Sequence, residues 1–221
     1  MEVKVMQDIL GQNDVLAEEM KQEFAARRIF VLNLMGSPGS GKTTLLEATL
    51  RALSGELRMA VIEGDLFTSK DADRIGACDA PVVQINTAGG CHLDAPMVEK
   101  ALSSLDLDAL DLIVIENVGN LVCPAEFALG EDAKAVVLSV TEGDDKPMKY
   151  PLMFKESAVA VINKTDLLPF TNFDLSQASE DIRTIHPGAL VLPVSCTKGE
   201  GLSAWIDWLR GQVKAKREGA S

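Results

Sequence analysis

Residues 36–44 read Gly-Ser-Pro-Gly-Ser-Gly-Lys-Thr-Thr, so Gly36 and Gly41 stand directly ahead of Lys42 and Thr43. Glycine lets a backbone curl until successive N–H groups point inward, the geometry that holds phosphate oxygens. In a G-x-x-x-x-G-K-[ST] pattern the lysine reaches the β- and γ-phosphates and the threonine hydroxyl binds Mg²⁺, while the next helix offers its positive end. Gly36, Ser37, Pro38, Gly39, Ser40, Gly41, Lys42, Thr43 and Thr44 are therefore the expected phosphate-binding residues.

Asn163-Lys164-Thr165-Asp166 addresses the base. Guanine presents a ring N–H and an exocyclic amine side by side, and a carboxylate at Asp166 accepts from both. Adenine has an acceptor in place of the ring N–H and is repelled. The stem of Lys164 can lie along the base, and Asn163 can tie this loop to the phosphate loop. Ser195, Cys196 and Thr197 form a small-residue loop of the kind that closes over guanine with a backbone N–H. GTP and GDP are the expected ligands.

Two acidic stretches remain: Glu63-Gly64-Asp65 and Glu116-Asn117-Val118-Gly119-Asn120. Mg²⁺ takes hard oxygens and keeps several waters, so one or two carboxylates near Thr43 complete its set. Asp65 and Glu116 are the candidates, with Asp65 preferred, and both are also placed where an acid could simply cap a helix. Asp65 is a candidate for positioning the attacking water as well, and the Gly119 N–H for sensing the γ-phosphate. Lys42, Asp65 and Gly119 form the expected catalytic set.

Cys91 and His92 are adjacent in a chain that has four cysteines and two histidines. Neighbours on a strand face opposite ways, and on a helix they diverge by about 100°, so this pair can share an ion only in an irregular loop. The two glycines of Asn86-Thr-Ala-Gly-Gly-Cys91 supply one. Cys123, four residues after Gly119 and ahead of Pro124, is the third candidate donor. Three donors fall one short of a closed zinc site, and a second copy of the chain across a two-fold axis could complete it. Thiolate and imidazole suit Ni²⁺ and Zn²⁺ alike, and core packing is the competing reading for the cysteines. Cys78 and Cys196 are assigned to packing, and His186, ahead of Pro187, to the surface near a helix end.

The elements that must position these residues follow from periodicity. Short Val/Ile/Leu-rich runs at 29–36, 58–65, 81–86, 110–117, 134–140, 157–164 and 188–195 predict strands buried on both faces of a parallel sheet. Helical periodicity occupies 7–28, 41–54, 95–105, 175–185 and 201–216. The alternation predicts an α/β chain with a doubly wound, mostly parallel sheet of about seven strands and helices on both faces, in which ligands bind beyond the carboxyl ends of the strands. The expected organisation is an amphipathic helix at 1–28, one domain at 29–217 and a tail at 218–221.

Composition sets the outer limits. The 221 residues are 47% apolar and 24% charged, enough for a sizeable core, and the net charge is −12. That balance argues against broad contact with nucleic acid or an anionic membrane. Met1–Leu10 does not read as a secretory signal and no run reaches membrane-span length, so the expected location is the cytoplasm, where cysteines stay reduced.

Taken together, the stretches 33–46, 62–65, 89–96, 115–127, 139–151 and 162–169 resemble the HypB-type nickel-insertion GTPases that help mature NiFe hydrogenases. Glu116-Asn-Val-Gly-Asn-Leu-Val-Cys-Pro124 and Gly89-Gly-Cys-His-Leu-Asp-Ala95 carry the resemblance most specifically. It implies a P-loop NTPase fold, a homodimer favoured by GTP, metal at a Cys-His-Cys site near the dimer interface, and slow hydrolysis. A small nickel-binding accessory protein and a hydrogenase large subunit are implied as partners. Many relatives carry Cys-rich or His-rich N-terminal segments, whereas residues 1–28 contain neither residue type, so metal handling is expected to rest on Cys91, His92 and Cys123. The alternatives are a urease-type maturation GTPase, which typically has Cys-Pro-His where this chain has Cys91-His92, and a regulatory GTP-binding module with structural cysteines.

Overall fold

The computed structural model describes residues 2–65, 75, 76, 78 and 80–219, with side chains from residue 10 onward and without that of Asp65. Within them, seven strands form one sheet in the order β3-β2-β4-β1-β5-β6-β7, with every pairing parallel. The strands are β1 (Phe30–Gly36), β2 (Met59–Asp65), β3 (Val82–Asn86), β4 (Leu112–Glu116), β5 (Ala133–Ser139), β6 (Val159–Asn163) and β7 (Leu190–Pro193). The sequence-predicted α/β sheet is therefore present. Its order, which periodicity does not encode, sets β1 between β4 and β5.

Strand alternation divides the core. Phe30, Leu32 and Leu34 of β1 face α2 (Lys42–Leu53) and α7 (Leu202–Glu218), packing with Leu45, Leu50, Trp205 and Leu209. On the opposite face Val31 meets Ala17, Met20 and Phe24 of α1 (Glu2–Arg27) and Val98 of α3 (Ala95–Leu102). Further along that face, Val136 and Ile162 pack on Phe154 of α5 (Pro151–Lys155) and Ile182 of α6 (Leu175–Ile185). Periodicity passes over α5 and α4 (Lys146–Lys149): each spans about one turn with a proline in it, too short to repeat a hydrophobic face.

Two expectations change at the rims. The sequence reads all seven strands as buried on both faces, but β3 and β7 are the sheet edges and stay half-exposed along much of their length. His186 is less superficial than its place before Pro187 suggests, with its ring Nδ1 3.1 Å from Ser157 O.

The chain runs from β1 outward to β2 and β3, returns through β4, then continues to β5, β6 and β7. A crevice opens beyond the carboxyl ends of strands where the winding direction reverses, and here that point flanks β1. Residues that follow β1, β4 and β6, together with Glu63 and Gly64 of β2, line the crevice.

Candidate functional site

The loop after β1 is shaped by glycine where nothing else fits. Gly41 caps α2 with φ +98°, a left-handed conformation, and a Cβ there would strike the Asn163 amide. That amide donates to Ser40 O at 3.0 Å, so β6 is stitched to the loop. Lys164, itself left-handed at φ 62°, reaches back to Gly39 O at 2.7 Å. A non-glycine residue in that region is uncommon and clusters at functional sites.

The Lys42 ammonium lies inside the curl, donating to Gly36 O and Ser37 O at 3.2 Å each. A cleft of about 370 Å³ opens beside it, lined by Pro38, Gly39, Gly41, Lys42, Thr43 and Thr44 and closed on the far side by Glu63, Gly64, Lys164 and residues 116–119. Ser40 Oγ is buried in the same loop with no hydrogen-bond partner among the described residues. Ser37 instead turns its hydroxyl to Glu142, which also accepts the Ser139 N–H at 3.0 Å.

Two buried carboxylates stand in the cleft. Glu116 accepts the Thr43 hydroxyl at 2.7 Å, and Glu63 lies directly opposite Glu116 in the β2–β4 register. The Asp65 side chain lies outside the described residues. Sequence reasoning prefers Asp65 and passes over Glu63. The signal for Glu63 is the strand register, which pairs it, and not the acid two residues on, with Glu116. A hydroxyl and two carboxylates are a hard-oxygen set of the kind a divalent cation such as Mg²⁺ takes, so the residues fit that ion.

Asp166, Ser195, Cys196 and Thr197 do not line the cleft and form a second cluster beyond β6 and β7. The Ser195 hydroxyl donates to Asp166 Oδ1 at 2.6 Å, and Asn163 Oδ1 receives the Cys196 N–H at 3.4 Å. Asn163 thus joins the two clusters through its side chain. Burial pushes the Cys196 thiol up to about 11.

Cys91, His92 and Cys123 come together. Their ligating atoms all lie within 4.8 Å of one another, with Cys91 Sγ 3.0 Å from Cys123 Sγ and 3.6 Å from His92 Nδ1. The irregular loop that adjacency demands is there: Ala88 and Gly89 are both left-handed, and Thr87 clasps Gly90 O at 2.9 Å. Asp94 then caps α3 by accepting the Met97 N–H at 2.9 Å, which ends the loop two residues after His92. The His92 ring stacks on Phe127 with centroids 3.9 Å apart, which fixes its orientation. The Cys91 thiol donates to Cys123 and raises the Cys123 thiol above its ordinary range, with burial and Glu126 adding to the effect.

A buried polar relay ties this cluster to the cleft, and sequence reasoning missed it. Asn117 Oδ1 accepts the N–H of Leu93 at 3.2 Å and that of Val118 at 2.9 Å. Its amide donates to Asn33 Oδ1 at 3.2 Å, and Asn33 donates to Glu131 Oε1 at 3.2 Å. The available signal was a lone Asn within the apolar run of β1, since buried amides persist where they are satisfied.

Comparison with known proteins converges on one group. Residues 30–193 match the family model described as CobW/HypB/UreG, nucleotide-binding domain. The hydrogenase maturation factor HypB of Escherichia coli K12 is 51% identical over 205 residues, covering 93% of this chain and 71% of that protein. The crystal structure of Helicobacter pylori HypB in complex with nickel superposes with a TM-score of 0.87 at 40% identity, covering 95% of this chain and 97% of that one. Archaeoglobus fulgidus HypB also gives 0.87, at 37% identity and with coverage of 92% and 100%. A P-loop sheet that gathers two thiols and an imidazole beside its phosphate cleft, at this level of identity across nearly its full length, makes the chain a member of the HypB family of hydrogenase maturation factors.

Proposed function

We propose that this chain is a Mg²⁺-dependent GTPase that carries nickel to a NiFe hydrogenase during its maturation, binding and releasing the metal at Cys91, His92 and Cys123 as nucleotide is turned over. One observation carries the reading: three soft or borderline donors within 4.8 Å sit on loops leaving β3 and β4, and the β4 loop also walls the phosphate cleft. The hydrogenase maturation role named for the Escherichia coli relative and the nickel held by the Helicobacter pylori one support it.

The triphosphate enters the cleft against the Lys42 ammonium and the backbone N–H groups at the start of α2. Thr43 and Glu116, with Asp65 or Glu63, hold Mg²⁺, which when bound neutralises charge on the phosphate oxygens. Base choice falls to Asp166, which accepts from guanine while Ser195 fixes its carboxylate. The Gly119 N–H senses the γ-phosphate, and Asp65 positions water. Turnover is slow in the isolated chain because no arginine finger stands in a matching motif.

Cys91 is exposed, unlike a packing cysteine, and a second copy meeting it supplies the missing donors. A GTP-favoured homodimer in the cytoplasm, served by a small nickel-binding accessory protein, is the working assembly. Nickel is the expected cargo, and zinc fits the same donors.

The test is a titration of Ni²⁺ into wild type, Cys91→Ala and Cys123→Ala, each loaded with GDP or a non-hydrolysable GTP analogue. Loss of uptake in both variants and different affinities in the two nucleotide states are expected. Equal uptake by all three proteins would leave a regulatory GTP-binding module with structural cysteines.

A further inference from the structure

Asn120 touches both halves of the molecule's chemistry. Its backbone N–H donates to Gly36 O at 3.0 Å, bridging to the first glycine of the phosphate loop. The same carbonyl receives the Lys42 ammonium at 3.2 Å. The side chain turns the other way: Nδ2 donates to Cys123 Sγ at 3.6 Å, while Oδ1 accepts the Val122 N–H at 2.8 Å. Slack is small on the near side, because a Cβ on Gly119 would stand 2.9 Å from the Pro38 backbone.

We propose that Asn120 is the positioning residue that carries the state of the phosphate loop to the Cys123 sulfur, setting how strongly that sulfur donates to nickel. The inference rests on the reading above that the cluster holds nickel in a nucleotide-dependent way. A γ-phosphate draws the Lys42 ammonium toward its own oxygens and away from Gly36 O. The Asn120 N–H then becomes the main donor to that carbonyl, and the 119–123 turn is pulled with it. An N–H donor on a ligating sulfur withdraws electron density from its lone pairs, the outer-shell control by which proteins tune a metal's ligands. Movement of the Asn120 amide therefore changes metal affinity without any change in the three ligands.

Asn120→Asp removes the N–H donor and keeps the acceptor for Val122, whereas Asn120→Ala removes both. Wild type, N120D and N120A are titrated with Ni²⁺ alone in the GDP state and with a non-hydrolysable GTP analogue, and the thiolate-to-nickel charge-transfer band is recorded. Wild type is expected to differ between states by about tenfold in affinity, within the usual span of coupling between sites. Both variants should fall below about twofold, with the band moved to lower energy because the sulfur has lost its donor. Full coupling in N120D with an unmoved band overturns the proposal, and so does uncoupling confined to N120A, which assigns the effect to the Val122 turn. A wild type with no difference between states sinks the nucleotide-dependent reading itself.

Discussion

Thr43 donates its hydroxyl to Glu116 across the mouth of the phosphate cleft, Oγ1 to Oε1 at 2.7 Å, joining the start of α2 to the end of β4. If both oxygens serve Mg²⁺, Thr43→Val removes one ligand at nearly constant shape. The expected cost is about 1.5–3 kcal/mol, roughly ten- to hundredfold in GTP affinity with Mg²⁺ present. Titration of a fluorescent GTP analogue with Mg²⁺ and with EDTA checks it, and an equal loss under both conditions would remove the ion from the account.

Asp166→Asn tests the base. An amide accepts at only one oxygen and sets a donor against one of guanine's two donors. GTP affinity should fall on the order of a hundredfold or more, as for other sites left with a mismatched buried polar group. Xanthosine triphosphate, whose oxygen replaces the exocyclic amine, should bind the variant better than GTP does. Competition binding with both nucleotides reads the reversal, and an unchanged preference for GTP would place the base elsewhere.

Thr49 and Trp205 pin α2 to α7 from inside the core. The Trp205 indole donates to Thr49 Oγ1 at 2.8 Å, and the hydroxyl donates on to Leu45 O at 2.7 Å. Thr49→Val leaves the indole N–H buried with no acceptor, at a cost of about 1–3 kcal/mol. Urea unfolding should show a lower midpoint with an unchanged slope. A midpoint equal to wild type would mean that another acceptor replaces Thr49.

The Cys196 thiol gives a pH signature. Burial raises it from 9.0 to about 11 in the folded chain. Between those values the folded protein keeps a proton that the unfolded chain has released, so stability is full below about pH 9 and falls as pH rises toward 11. Cys196→Ser should flatten that decline relative to wild type in denaturant midpoints taken at about pH 8, 9 and 10. Parallel curves for the two proteins would show that this thiol contributes nothing there.

Much of this was legible because the signals are local. The runs that became β1, β4, β5 and β6 are apolar at nearly every position, as strands covered on both faces must be, and Gly36 to Thr44 spells out its own turn. The adjacency of Cys91 and His92 demanded an irregular loop, and left-handed Ala88 and Gly89 provide it. What stayed hidden depends on which strands are neighbours. Glu63 drew no notice beside Asp65 and Glu116, because only the β2–β4 register sets it opposite Glu116. Phe127 under His92, and Asn33 behind Asn117, are partners far apart in sequence, so no spacing rule reaches them.

The connection from Glu116 to Cys123 is fastened at nearly every residue. Asn117 is held by Asn33, Gly119 lies against Pro38, Asn120 is bonded to Gly36, and Cys123 meets Cys91. Surface connections ordinarily accept added or deleted residues at little thermodynamic penalty. This one cannot: a single extra residue would displace either the sulfur or the glycine by a full chain step of about 3.8 Å. Its length is thus as much a fixed parameter of the protein as the identity of any side chain it carries.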